Sequence, residues 1–364
     1  MKLLLHTLII EWLEFTHFCV IVKMPNSINL LGGKGIQSFI TPNSWLKNIQ
    51  FTNCREFILK NSFINILFPN LQNVFDEASV DTLIFICSRK EDNRITSIME
   101  FKNKTAIEKH KINQSRFQQN ERKIFDVEIN DEINVIIQKI RNDSSHLSRF
   151  SEITRGVNPY DKYTGQSQEI IDLKAYHSTF AKDETFKPEL RGKHIGCYHF
   201  LWDKKSYISY GDWLAAPRDI KFFQGNRIVM RQVLGKKFNC TVLDEDFIID
   251  QSVFIAKPKI EFEDKIQVIQ GLLASKLVVF FFKHTNNEFD ALFPKIKIGE
   301  FKELPIFSEI EKIPTEFTIK VTQILDLKQQ NPSADTTALE AEIDEMVYQL
   351  YGLTDEEKQI VENS

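Results

Sequence analysis

The chain has 364 residues, 42% of them hydrophobic and 12% aromatic, with 30 Phe. That is enough apolar surface for two or three packed cores, and it excludes a disordered polypeptide. The net charge of -4 hides a partition. Residues 147–237 carry 16 Lys and Arg against 10 Asp and Glu, whereas 238–364 carry 12 against 24, a partition that fits either a polyanion-contacting surface in the middle of the chain or a solvated mixed-charge one.

Met1–Val22 is apolar, but Glu11 and Glu14 interrupt the run and no small-residue cleavage site follows, so it predicts neither a signal peptide nor a membrane span. From Gly32 to Lys90 the pattern is α/β. A short apolar run (Ile36, Phe39, Ile40) follows the Gly32-Gly33-Lys34-Gly35 turn and ends at Pro42-Asn43. Helical spacing then covers Trp45–Lys60, and strands are predicted over Phe63–Phe68 and Val80–Cys87. Residues 91–126 are polar and predict either an irregular connection or exposed β structure. Asn130 or Asp131 caps a helix with Ile133, Ile136, Ile137 and Ile140 on one face, ending near Asn142–Ser145.

Residues 147–258 break into short strand-like runs punctuated by Gly, Pro, Asp and Asn: Tyr207–Tyr210, Arg227–Val233, Phe238–Leu243, Phe247–Ile249 and Ser252–Ala256. Helix returns over Asp264–Phe282. Two amphipathic helices, Pro314–Gln330 and Thr337–Tyr351, then predict a hairpin turning at Asn331-Pro332. The domains expected are therefore 1–125, a helical linker 126–146, a β-rich module 147–310 and a helical segment 311–364.

Most motifs that would carry chemistry reduce to structural explanations. The five cysteines (Cys19, Cys54, Cys87, Cys197, Cys240) stand singly, so buried thiols in a reducing, cytoplasmic setting are expected instead of a disulfide framework or a zinc site. The glycines at 32, 33 and 35 lack the Lys-Ser/Thr of a phosphate loop. Asp81, Glu100 and Lys102 form a triplet too common to mark a nuclease. No Gly-x-Ser-x-Gly elbow is present, and the eight histidines form no metal-ligand cluster. Asn158-Pro159-Tyr160 has one proline where an adenine-methylating loop has two, and it follows Arg155-Gly156-Val157 instead of an apolar strand; a turn is expected.

Two series of segments carry a family resemblance. GGKGIQSFITPNSWLKN (Gly32–Asn48), REFILKN (Arg55–Asn61) and VFDEASVDTLIFICSRK (Val74–Lys90) resemble the last third of TaqI-like adenine-specific methyltransferase domains. SEITRGVNPY (Ser151–Tyr160), FKPELRGKHIGCYHFLW (Phe186–Trp202), SYISYGDWLAAPRDIKFFQGNRIVMRQV (Ser206–Val233), GLLASKLVVFFF (Gly271–Phe282) and IDEMVYQLYGLTDEEKQIVEN (Ile343–Asn363) resemble the C-terminal specificity domain of type IIG restriction–modification enzymes.

The resemblance implies a partial α/β methyltransferase sheet, then an α+β target-recognition domain and a C-terminal helical hairpin. It implies sequence-specific reading of double-stranded DNA and no methyl transfer by this chain alone, because the family's S-adenosylmethionine loop and catalytic Asn-Pro-Pro-Tyr loop have no counterpart in the sequence. A chain carrying the missing half, completed by this one as a specificity or structural subunit, is the alternative. Phe75 falls where the family stacks an aromatic on the flipped-out adenine. Arg155, Lys162, Arg191, Lys193, Lys204, Lys205, Arg218, Arg227, Arg231, Lys236 and Lys237 are the candidate DNA cations, and Gln232, with Gln166, Gln168 and Asn239, a candidate adenine reader. No metal is expected.

Overall fold

The structure, a computed structural model, describes residues 27–28, 30–31, 35–71, 81–89, 94–235, 237–286 and 295–364. Two compact units, Met1–Asn134 and Val135–Ser364, divide the chain. Phe75, Lys236, Cys19, the Gly32-Gly33 turn and Met1–Lys23 lie outside the described residues.

The first unit is a five-stranded sheet made of β1 (Ile36–Pro42), β2 (Phe63–Leu71), β3 (Thr82–Ser88), β4 (Ile95–Lys102) and β5 (Thr105–Asn113), in the order β1-β3-β2-β4-β5. Every pairing is antiparallel except that of β2 with β4. The apolar run at 36–40 lies in β1, the strand expected over Phe63–Phe68 is β2, and the strand expected over Val80–Cys87 is β3, Val80 itself lying outside the described residues; Ile95–Asn113, in the polar stretch, is a β-hairpin with an exposed outer half. Helical spacing over Trp45–Lys60 produces two short 3-10 turns and then α1 (Thr52–Asn61).

Trp45 is fully buried, edge-on to Phe85 and Phe125 at 5.6 and 5.5 Å. Beside it the buried Arg55 guanidinium donates to the carbonyls of Trp45 (2.7 Å), Asn48 (2.8 Å) and Arg122 (2.9 Å). It ties the carbonyls of three separate turns together inside the unit; that of Asn48 also accepts from Phe51 N. α2 (Asp131–Asp143) begins as the sequence predicts, with Asn130 Oδ1 accepting from Ile133 N at 2.8 Å.

The second unit holds two four-stranded sheets and a two-stranded ribbon. One sheet runs β13 (Ile248–Ile249), β9 (Phe186–Leu190), β10 (Tyr207–Ser209), β8 (His177–Ser178), with β13 parallel to β9. The other runs β12 (Cys240–Leu243), β11 (Arg227–Arg231), β14 (Val253–Pro258), β7 (Ser151–Arg155) and is antiparallel throughout. Leu190, Ile208 and Ile249 from the first meet Val229, Leu243 and Ile255 from the second in one core. The ribbon pairs β6 (Ser144–His146) with β15 (Pro305–Phe307).

The helix expected over Asp264–Phe282 is two helices, α3 (Ile266–Ala274) and α4 (Lys276–Thr285), bent by 58° at Ser275. Ser275 has an extended backbone and its hydroxyl accepts from Val278 N, so it caps a new helix instead of continuing the old one. α3 packs on α5 (Thr315–Gln330) through Gly271; a Cβ there would lie 2.6 Å from Phe317 and Val321. α6 (Thr337–Leu350) completes the expected hairpin, and α7 (Asp355–Glu362) follows it, capped by Thr354. No single described helix is long and apolar enough to cross a membrane.

Candidate nucleic-acid interface

The turn Arg191–His194, at the end of β9, organises the basic surface of the second unit. Its backbone is fixed from two sides: Gly192 N donates to Ser252 Oγ at 2.9 Å, and Arg191 N donates to His194 Nδ1 at 3.0 Å. With Nδ1 accepting, the proton of neutral His194 sits on Nε2, which faces Asp203 Oδ2 at 3.2 Å. Asp203 also accepts from Lys193 Nζ (2.9 Å), Lys205 N (2.8 Å) and Ser206 Oγ (3.0 Å). Burial acts to raise the Asp203 carboxyl, but these donors prevail and hold it well below the usual carboxylate range. Burial lowers the His194 imidazolium, with Asp203 opposing.

This carboxylate thus binds the loop 203–205 to the turn 191–194 and leaves Lys204 and Lys205 exposed beside Lys193. On the other side of the turn the Arg231 stem lies against Gly192, where a Cβ would sit 3.2 Å from Cγ. Arg231 Nε donates to Val233 O at 3.0 Å, and the Gln232 side-chain amide donates to Gln251 O. Arg191, Lys193, Lys204, Lys205, Arg231 and Gln232 are therefore brought to one locality by contacts that converge on a single turn.

A second group lies on the loop after β7. Val157 N donates to Ile249 O at 2.8 Å, placing the Arg155–Gln166 loop against β13. Gly156 is required there, because a Cβ would fall 2.3 Å from the carbonyl oxygens of Ile249 and Asp250. Arg218 Nε donates to Arg155 O at 3.1 Å, so these two cations share the loop. Arg155 itself is half-buried over the Phe254 ring, while Lys162 is exposed over Tyr163. Gln166 folds back on Pro159 O and Trp213 O, and Gln168 pairs with Asp172.

Two expected DNA cations are not on this surface. Arg227 is fully buried, with its guanidinium donating to Gly225 O (2.7 Å) and Glu245 O (2.7 Å); burial lowers its pKa to about 10 against the pull of Asp246 and Asp244. Its position on the central strand β11 buries it, and the sequence shows only that it begins an apolar run. Lys237 pairs with Glu340 of α6, a contact that ties the sheet to the hairpin.

Residues that the sequence left unassigned prove central. Glu189, fully buried, accepts from Arg191 Nε at 2.5 Å and faces His177 Nε2 at 3.2 Å. His177 Nδ1 lies 2.9 Å from the hydroxyl of Tyr160, which also accepts from Tyr176 N at 3.0 Å. Burial pushes the Tyr160 phenol up to about 12. No strand was expected over Phe186–Leu190; the one signal in the sequence was the Glu189-x-Arg191 spacing, which in the observed strand puts the two residues on one face.

Among the described residues no group of three His, Cys, Asp or Glu is placed to hold a metal ion. Burial raises the thiols of Cys54 (to about 11), Cys87 and Cys240, which removes nucleophilic character from them.

Residues 187–306 match the family model of the TaqI-like C-terminal specificity domain. The type IIL restriction–modification enzyme MmeI, solved in complex with DNA, shares the fold: TM-score 0.51 at 13% identity, over 94% of this chain and 52% of that one. The type IIG restriction endonuclease BpuSI aligns over 89% of this chain and 48% of its own, with 11% identity and TM-score 0.40. The HsdS subunit from Thermoanaerobacter tengcongensis aligns over 61% and 51%, with 13% identity and TM-score 0.29. The chain thus spans about half the length of each of these structures. No curated protein matches it.

Proposed function

We propose that this chain, whose residues 187–306 match the TaqI-like C-terminal specificity domain, reads double-stranded DNA sequence for a restriction–modification system of adenine-specific, type IIG kind. The observation that carries this is a coincidence of place. The turn that gathers Arg191, Lys193, Lys204, Lys205, Arg231 and Gln232 lies within the matched segment, and it offers exposed cations for phosphates next to a fixed guanidinium and amide for base edges.

Within this reading the five-stranded sheet of the first unit is the end of a methyltransferase domain. S-adenosylmethionine and the adenine-methylating loop belong to the rest of that domain, in the same polypeptide or in a partner chain, and the setting is the cytoplasm. Phe75 keeps its proposed place against the target adenine. The test is selection of a random duplex library by the purified chain at stepped salt. A single enriched motif, bound with log-linear salt dependence, is expected; binding without an enriched motif, or none, overturns the proposal.

A further inference from the structure

Arg191 is held differently from every other cation of the surface. Its Nε donates at 2.5 Å to Glu189, a carboxylate with no exposure at all, while the Arg191 side chain remains 37% exposed. Glu189 is fixed in turn. Neutral His177 satisfies the whole chain of contacts if Nε2 carries the proton: Nε2–H donates to Glu189 Oε1, and Nδ1 accepts from the Tyr160 hydroxyl, which itself accepts from Tyr176 N. Tyr160 stacks on Tyr176 at 5.4 Å with an interplanar angle of 4°. The strands β8 and β9, which carry His177 and Glu189, are both paired with β10. The guanidinium is therefore pinned through Nε from the protein interior, and its Nη1 and Nη2 donate to no acceptor among the described residues.

We infer that Arg191 reads a guanine through its Nη1/Nη2 edge, and that Glu189, backed by His177 and Tyr160, is the positioning residue that fixes that edge. The inference rests on the DNA-reading proposal. Two parallel N–H groups match the O6 and N7 acceptors of guanine in the major groove. They match two phosphate oxygens equally well, but charge decides between the sources. The buried Glu189 carboxylate cancels the charge of Arg191, so the pair releases no net counterion from a phosphate. What it supplies is direction, and direction has value only against a base edge. The exposed Lys193, Lys204 and Lys205 are the groups suited to phosphate.

The test uses the full chain and the motif that it enriches from a random duplex library. Replacing the guanines of that motif singly by 7-deazaguanine, which removes N7, should weaken wild-type binding about tenfold to a hundredfold at one position, the range of one bidentate Arg–guanine contact. Glu189→Gln keeps the side-chain shape and removes the charge. It should abolish the preference for guanine at that same position while steepening the salt dependence by about 0.9 in log–log slope, as one added cation does. Arg191→Lys should lose the preference without steepening the slope as much.

If every 7-deazaguanine duplex binds as the parent does, or the motif holds no guanine, the inference is overturned; this measurement leaves the protein untouched and does not depend on a variant folding. Glu189→Gln retaining both motif and slope overturns it, as does uniform weakening on all sequences, which marks a phosphate contact or a structural role. If the wild-type chain enriches no motif, the DNA-reading proposal itself fails; an enriched motif with unchanged variants removes only the role of Arg191 and Glu189.

Discussion

The backbone N–H of Lys276, the first residue of α4, donates to Asp344 Oδ1 at 2.8 Å, so a side chain of α6 caps a helix 68 residues earlier in the sequence. Asp344 is buried, and its Oδ2 has no hydrogen-bond partner. Burial raises the carboxyl to about 6, against the Lys276 N–H and the charges of Lys237 and Lys276, with Glu362 adding to the rise.

The pH dependence follows from the direction of that change. The folded state holds the Asp344 proton more tightly than the unfolded chain, so between about pH 4 and 6 it binds more protons and this group's contribution to stability falls as pH rises. The cost is complete above pH 6 and amounts to about 3 kcal/mol, at about 1.4 kcal/mol for each pH unit between the unfolded and folded values. Asp344→Asn keeps the acceptor and cannot ionise. Its melting temperature should rise relative to wild type between pH 5 and pH 7.5, at about 2–4 °C per kcal/mol for a unit of this size. Parallel melting curves for the two proteins across that range would refute the assignment.

Arg227 should behave as a stability residue and not as a DNA contact. Arg227→Met removes a buried guanidinium and its donors to Gly225 O and Glu245 O, which lie on the turns just outside β11 and β12. Urea unfolding should show a loss of about 1–3 kcal/mol, the range for breaking a buried hydrogen-bonded side chain whose acceptors remain open to water. The folded fraction should select the same duplex motif as wild type. A changed motif at unchanged stability would return Arg227 to the interface.

The Gly156 contact gives a sharper structural prediction. A Cβ would fall 2.3 Å from two carbonyl oxygens held by β13, and backbone atoms cannot give way as a flexible side chain does. Gly156→Ala should therefore lift the segment that follows β7 away from β13, and protease digestion should cut the Arg155–Gln166 loop much faster than in wild type. Equal digestion rates would show that the loop has room the contact denies.

How far the sequence disclosed this arrangement depended on how local each signal is. The helix at 131–143 was legible because its Asn130 cap and its Ile spacing are both written within a few turns of chain. The break at Ser275 was not, because residues 266–282 are apolar on nearly all sides and only the serine marks the new cap. Composition places Arg191 and Arg227 in the same basic segment, yet one follows the end of a strand at the surface and the other begins a central strand; pairing partners distant in sequence decide between them. For the same reason the Tyr160–His177–Glu189 chain was invisible, since its members come together only once β8, β9 and β10 have paired.

Lys204 and Lys205 test the division of labour at the interface. Both are exposed, and Lys205 is held through its backbone N–H to Asp203, which leaves its ammonium unconstrained. Lys204 has a φ of 56°, a strained value for lysine and alanine alike, so Lys204→Ala adds no new backbone cost. The double substitution Lys204→Ala/Lys205→Ala should lower affinity for all duplexes together and reduce the log–log salt slope by about 2, near 0.9 for each phosphate no longer neutralised. The enriched motif should be unchanged, because a mobile ammonium on a phosphate carries no base information. An altered motif at constant slope would move these lysines from phosphate to base contact and place the reading edge on the 203–205 loop instead of the turn at Arg191.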